Sequence, residues 1–263
     1  MKQHWGSLLA AIFKVGSIGL KLLKSVKVLK VGMAGASLAA YSWMFTPQFA
    51  VVLIAALVVH EYGHLRAMKA CGIPTKGIFL IPFFGGVAVA ESGFKTRRDE
   101  SYTAMMGPAW GLGTAIAPCL LYLVYPHPAL AGIASFIALM NLFNMLPINP
   151  LDGGRTIKSI AFSLDSHLGL AVLMLGMLAI FAGMLFLNIG LFLLIGFIAA
   201  LELTSEWYSL QDSLFIKPQM SSTQIGIHSA CYLGLTVAFL AVIRLAAEIK
   251  GAEIAFKALT DGN

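Results

Sequence analysis

Long unbroken stretches of apolar residues fill most of this chain, and proline, glycine and short polar clusters separate them. Stretches that approach ~20 residues suit helices that cross a bilayer. A first run, about 31–46, is divided from a second, about 49–69, by Thr46-Pro47-Gln48, a turn signal. Runs at 101–125 and 129–147 follow, parted by Pro126-His127-Pro128. The stretch 168–208 is too long for one span and is split near Asn188-Ile189-Gly190, and a last run covers about 225–247. The pattern predicts an all-α polytopic membrane protein with six or seven transmembrane helices.

One segment departs from the helical pattern. After Cys71-Gly72-Ile73-Pro74, a helix stop, Gly77 to Ala90 is rich in β-formers and glycine, and its paired apolar runs around Gly85-Gly86 predict a small membrane-associated β-hairpin between the second and third spans.

Composition agrees with the pattern. Of 263 residues, 59% are hydrophobic and 11% charged, with a mean hydropathy of +0.84. A soluble domain carries ~25% charged residues, so an ordinary cytosolic enzyme, a disulfide scaffold and a disordered chain are excluded. Cys71, Cys119 and Cys231 read as small buried hydrophobes.

The net charge of +6 reports orientation and not affinity for nucleic acid. With the N-terminus cytoplasmic, 15 of the 18 Lys and Arg residues fall in cytoplasmic segments. The proposed external turns at 46–48, 126–128 and 188–190 carry none. Residues 1–30, with Lys14, Lys21, Lys24, Lys27 and Lys30 among apolar residues, read as a basic amphipathic segment that lies on anionic lipid. Residues 31–208 form the core, and 209–263 a C-terminal segment with one further transmembrane helix.

The chemistry sits in two places. His60-Glu61-Tyr62-Gly63-His64 follows an uncharged apolar run. On a helix, residues four apart lie ~40° apart around the axis, so both imidazoles can reach one ion with Glu61 beside it to hold a water. His60 lies 11 residues from Phe49, or ~16 Å at ~1.5 Å per residue, inside a hydrocarbon core of ~30 Å. Burying His-Glu-His there without an ion is costly. A zinc site needs a third protein ligand. Asp152, in Asn144-Met145-Leu146-Pro147-Ile148-Asn149-Pro150-Leu151-Asp152-Gly153-Gly154, is the best candidate, since two prolines and two glycines bend the backbone enough to aim a carboxylate sideways. Taken alone, Asp152 also fits a turn or a helix cap.

Together the two motifs resemble the site-2 protease family of intramembrane zinc metalloproteases. The family pattern pairs HExxH on one span with N-x-x-P-x-x-x-L-D-G on a later one, which Asn144, Pro147, Leu151, Asp152 and Gly153 match in position. Gly107-Pro108 resembles a further family feature, although Trp110 lies in the stretch where an asparagine often follows it.

The resemblance implies a zinc endopeptidase of regulated intramembrane proteolysis that cuts transmembrane protein or peptide substrates. One Zn2+ would be bound by His60, His64 and Asp152, with Glu61 as general base and Asn144 contacting substrate backbone or oxyanion. Gly85, Gly86, Val87 and Val89 are expected to offer a strand edge to an unwound substrate; a hairpin that plugs the site is the alternative. A membrane transporter or metal-handling protein using the same His/Asp cluster as an ion site is the competing function. Such a protein would be expected to show internal repeats, and none is visible. Glu91, Asp99, Glu100 and Asp165 read as loop carboxylates, and Glu202 as an interior ion-pair partner.

Overall fold

Each predicted apolar run is helical in the computed structural model, which describes residues 26–83, 85–187, 191–211, 216–253 and Lys257. Helix α1 spans Val26–Met44 and α2 spans Pro47–Ala70. The break between them is built as the sequence suggests: Thr46 caps α2 with its side chain on the Phe49 amide, and Pro47 opens the first turn, where its missing N–H costs nothing. Most of the basic N-terminal segment, residues 1–25, lies outside the described residues.

Gly72, at φ +68°, and Pro74 end α2, and the chain enters the hairpin. Strand β1 (Thr75–Ile81) pairs antiparallel with β2 (Gly85–Ala90) in the register Phe79 to Val87 and Ile78 to Ala88. Gly85 and Gly86 begin β2 and do not form the turn, which uses Pro82 and Phe83 instead. A bulge sits between Thr75 and Gly77. There the Lys30 ammonium of α1 donates to the Lys76 carbonyl and lies 5.0 Å from the centre of the Phe79 ring. Helix α1 thereby backs the hairpin against α2.

Helix α3 (Arg97–Val124) is capped by Thr96 and carries Pro108 and Pro118 within it; α4 (Pro128–Asn144) follows a His127 cap. Residues 152–164, which lie between the apolar runs at 129–147 and 168–208, form a 13-residue amphipathic helix, α5 (Asp152–Leu164). Helices α6 (Ser166–Leu187) and α7 (Leu191–Gln211) flank the predicted break at 188–190, which lies outside the described residues. Helix α8 (Ser222–Ala247) opens with a reciprocal capping box between Ser221 and Gln224.

Among the described residues, four helices, α2, α3, α6 and α8, are long and apolar enough to cross a membrane, and α4 is a shorter apolar helix. The core forms where α2, α3, α4 and α8 meet, with Ala56, Ala115, Ala134, Ala138 and Phe239 at its centre. Small residues dominate because the helices approach closely. Helix α5 packs against α3, α6 and α8, whereas the one extensive helical contact of α7 among the described residues is with α6. Cys71 and Cys119 are half-buried and Cys231 is exposed on α8, so the expected burial fails for Cys231, whose helix leaves that face uncovered.

Candidate metal centre

Helix α2 turns His60, Glu61 and His64 inward and Tyr62 outward. The segment after α4 doubles back, with the Leu151 amide donating to the Ile148 carbonyl at 2.9 Å, and α5 starts at Asp152. Gly153 lets this bend close, since a Cβ there would fall 2.0 Å from the Met145 carbonyl oxygen. Asp152 is thereby delivered to the two histidines. Its Oδ2 lies 3.1 Å from His60 Nε2 and 3.3 Å from His64 Nε2, and the two Nε2 atoms are 3.1 Å apart. All three side chains are buried.

The outer nitrogen of each ring fixes the inner one. His64 Nδ1 lies 2.8 Å from the Thr103 carbonyl oxygen, which can only accept, so Nδ1 carries the hydrogen and Nε2 keeps its lone pair. His60 Nδ1 lies 2.8 Å from Asn141 Oδ1, and Asn141 Nδ2 donates to the Ile137 carbonyl at 2.8 Å, which turns Oδ1 toward the ring. With both rings in the neutral tautomers that these outer contacts select, two lone pairs and a carboxylate oxygen converge, an arrangement that suits a cation.

The spacing fits zinc: bonds of ~2.0–2.1 Å in tetrahedral geometry set ligand atoms ~3.3 Å apart. The space beside the ligands is kept open by Gly107 on α3, where a Cβ would fall 2.2 Å from His64 Nε2 and 2.8 Å from His60 Nε2. His60, His64 and Asp152 are thus a group that could hold a metal ion.

Glu61 faces the hairpin. Its Oε2 accepts a 2.7 Å hydrogen bond from the Ala88 amide, and Gly86 lets it lie against the strand, since a Cβ there would fall 2.6 Å from Glu61 Cγ. Because strand amides alternate in direction, the Ala88 contact means that Gly86 and Ala88 present β2's free edge. Val87 and Val89 turn their amides toward β1. Asn144 ends α4, half-buried, and among the described residues makes no hydrogen bond to the three ligand candidates.

Sequence reasoning misses Asn141. The available signal is a carboxamide inside an apolar run, a position where a buried polar group needs a partner. It also misplaces Glu100, which is 2% exposed and not in a solvated loop, because Lys158 and Lys217 pair with it. Asp165 does sit in a loop, where it accepts from the His167 and Leu168 amides at the start of α6.

Comparison with known proteins bears out the resemblance read from the two motifs. Residues 48–138 match peptidase family M50. Protein sll0528 of Synechocystis sp., provisionally named a zinc metalloprotease, is 32% identical over 170 residues, covering 63% of this chain and 44% of its own. Zinc metalloprotease MJ0392 of Methanocaldococcus jannaschii is 25% identical over 154 residues, covering 57% of this chain and 44% of its own. The solved structure of the site-2 protease from Methanocaldococcus jannaschii aligns with a TM-score of 0.46 at 23% identity, over 67% of this chain and 87% of that one. The chain spans less than half the length of the curated relatives it matches.

Proposed function

We propose that this chain is an intramembrane zinc endopeptidase that hydrolyses peptide bonds within or near transmembrane segments of other proteins, as in regulated intramembrane proteolysis. The observation that carries the reading is the convergence of His60 Nε2, His64 Nε2 and Asp152 Oδ2 within 3.3 Å of one another, with Glu61 adjacent in sequence. His60, His64 and Asp152 would hold one zinc ion. When bound, zinc supplies Lewis acidity that polarises a carbonyl and makes water ionisable near pH ~7.

The remaining work falls to the protein. Glu61 is the general base: the Ala88 amide holds Oε2, which leaves Oε1 to take a proton and return it to the leaving amine. Asn144 supplies a neutral amide donor to the substrate backbone or oxyanion. A substrate helix that unwinds loses its internal hydrogen bonds and needs others. The Gly85–Ala90 strand offers them along its free edge, with the Gly86 amide donating and Val87 and Val89 flanking. That edge runs beside Glu61, where a scissile bond would have to lie.

The protein is read as an integral membrane protein of six or seven spans, in the bacterial inner membrane, with the N-terminus and the site toward the cytoplasm. Its basic N-terminus binds anionic lipid. The charge distribution along the sequence supports this orientation.

Purification in detergent, zinc analysis and incubation with single-span substrates test the function. Glu61→Gln is expected to retain zinc and lose cleavage, and equal cleavage by both proteins overturns the reading.

A further inference from the structure

Away from the metal ligands, six charged side chains form a cluster joining three helices and the segment before α8, with Arg97, Glu100, Lys158 and Glu206 buried and Glu202 and Lys217 partly exposed. Arg97 Nη1 and Nη2 each donate to a Glu206 oxygen at 2.7 Å. Lys158 Nζ donates to Glu100 Oε1 at 2.5 Å and also to Glu202 Oε1. Lys217 reaches Glu100 Oε2 at 3.0 Å and Glu206 Oε1 at 3.4 Å. Three positive charges meet three negative ones, so the cluster is neutral. Burial alone would lower the pKa of Lys158, but Glu100, Glu202 and Glu206 outweigh it and hold the ammonium above its usual value. The site is therefore filled by a resident cation, which removes the three carboxylates as a second metal site.

The cluster has two consequences in the fold. Helix α7, which among the described residues otherwise packs extensively only against α6, is drawn by it onto α3 and α5. The second concerns Glu202, whose two oxygens serve different parts of the chain. Oε1 takes Lys158 of α5, while Oε2 accepts a 3.0 Å bond from Asn149 Nδ2, in the segment before α5. Asp152 lies between Asn149 and Lys158 in sequence. Glu202 therefore spans the bend that presents the aspartate. Asn149 is 4% exposed and is pressed from the other side by the backbone at Gly154, where a Cβ would fall 2.3 Å from the Asn149 nitrogen.

We propose that Glu202 is a positioning residue for the metal centre: through its hydrogen bond to Asn149, it fixes the segment that aims Asp152. The proposal rests on the reading of His60, His64 and Asp152 as metal ligands. Partners hydrogen-bonded directly to the ligands tune affinity by ~10–100-fold in metalloproteins. Glu202 acts one step further out, through Asn149 and the backbone that carries Asp152, which sets its effect at the low end of that range. Helix α7 carries no ligand, yet it controls one.

The test measures cobalt(II) and zinc affinity of the full-length protein in detergent by competition with a chromophoric chelator, together with the visible spectrum of bound cobalt. Glu202→Ala and Asn149→Ala are each expected to weaken binding ~10-fold, the low end of the range for direct partners, and to alter the cobalt bands. The double variant is expected to be no worse than either single one, because both break the same link. Glu206→Gln loosens α7 without touching Asn149 and is expected to leave affinity within threefold of the native protein.

Additive losses in the double variant, or an equal loss in Glu206→Gln, assign the effect to general loosening and overturn the proposal. His60→Ala separates this inference from the reading beneath it. If His60→Ala abolishes binding while Glu202→Ala and Asn149→Ala keep native affinity, the metal centre stands and the positioning role fails. If His60→Ala binds as the native protein does, the centre itself is wrong.

Discussion

Gly107→Ala adds one methyl group to the chain, and the structure places that group where the proposed metal must sit. The new carbon would lie 2.2 Å from His64 Nε2, 2.3 Å from His64 Cε1 and 2.8 Å from His60 Nε2. Nonbonded contact begins near ~3.5 Å, so the His64 ring must retreat by about 1 Å. A zinc–nitrogen bond is ~2.0–2.1 Å long, and a ligand moved that far no longer reaches an ion held by the other two. Affinity is expected to fall by at least ~100-fold, or ~2.7 kcal/mol.

Alanine is the better helix former by up to ~1 kcal/mol, so intrinsic helix propensity works against a global loss of α3. Gly113→Ala on the same helix is the control, because nothing lies within 4 Å of a Cβ there. Chelator competition gives the affinity and circular dichroism the helix content. Native-like zinc affinity in Gly107→Ala, with folding intact, would refute the placement of the metal between the two Nε2 atoms.

Three more outcomes follow from named contacts. Asn141→Leu removes the acceptor that orients His60 and is expected to weaken zinc binding ~10–100-fold, whereas Asn141→Asp keeps an acceptor and restores most of it; chelator competition reads both. Ala88→Pro deletes the amide that holds Glu61, so cleavage of a single-span substrate is expected to collapse while zinc content stays at one per chain. Lys158→Met leaves Glu100, Glu202 and Glu206 without the cation at their centre, and buried pairs broken on one side lose ~3–5 kcal/mol. The thermal midpoint in detergent is expected to drop accordingly, and an unchanged midpoint would show that the cluster contributes nothing.

Much of this arrangement is legible in the sequence because it is written in local signals. Thr46-Pro47 opens α2 as a cap and a first-turn proline, and His127-Pro128 does the same for α4. The histidine pair needs only helical spacing to be recognised, and Asp152 needs only the bend around it. Signals fail where the partner is distant in sequence. Lys158 and Glu100 are 58 positions apart, Asn141 and His60 are 81 apart, and no local pattern connects either pair. Asp152–Leu164 carries too many glycines and polar residues to show as an apolar run, and its Lys158 is buried only because distant carboxylates pair with it. The hairpin is found, but its turn is displaced onto Pro82 and Phe83, since Phe83 adopts φ +67°.

Every ligand of the centre is held by something other than the metal, and this decides what metal removal should do. His64 leans on the Thr103 carbonyl, His60 on Asn141, and the segment before Asp152 on Glu202 through Asn149. These contacts join α2, α3, α4 and α7, and the apolar core at Ala56, Ala115 and Ala138 packs without reference to the ion. The fold should therefore survive chelation. Zinc then stabilises by mass action alone, about 4.1 kcal/mol when free metal is ~1,000 times its dissociation constant, and the thermal midpoint should climb smoothly with the logarithm of zinc concentration. Helicity at 25 °C should be the same in the stripped and reloaded protein, and reloading should restore cleavage without a refolding step. A cooperative loss of helix on adding chelator would mean that the ion holds the helices together, and would contradict the preorganised centre inferred from these hydrogen bonds.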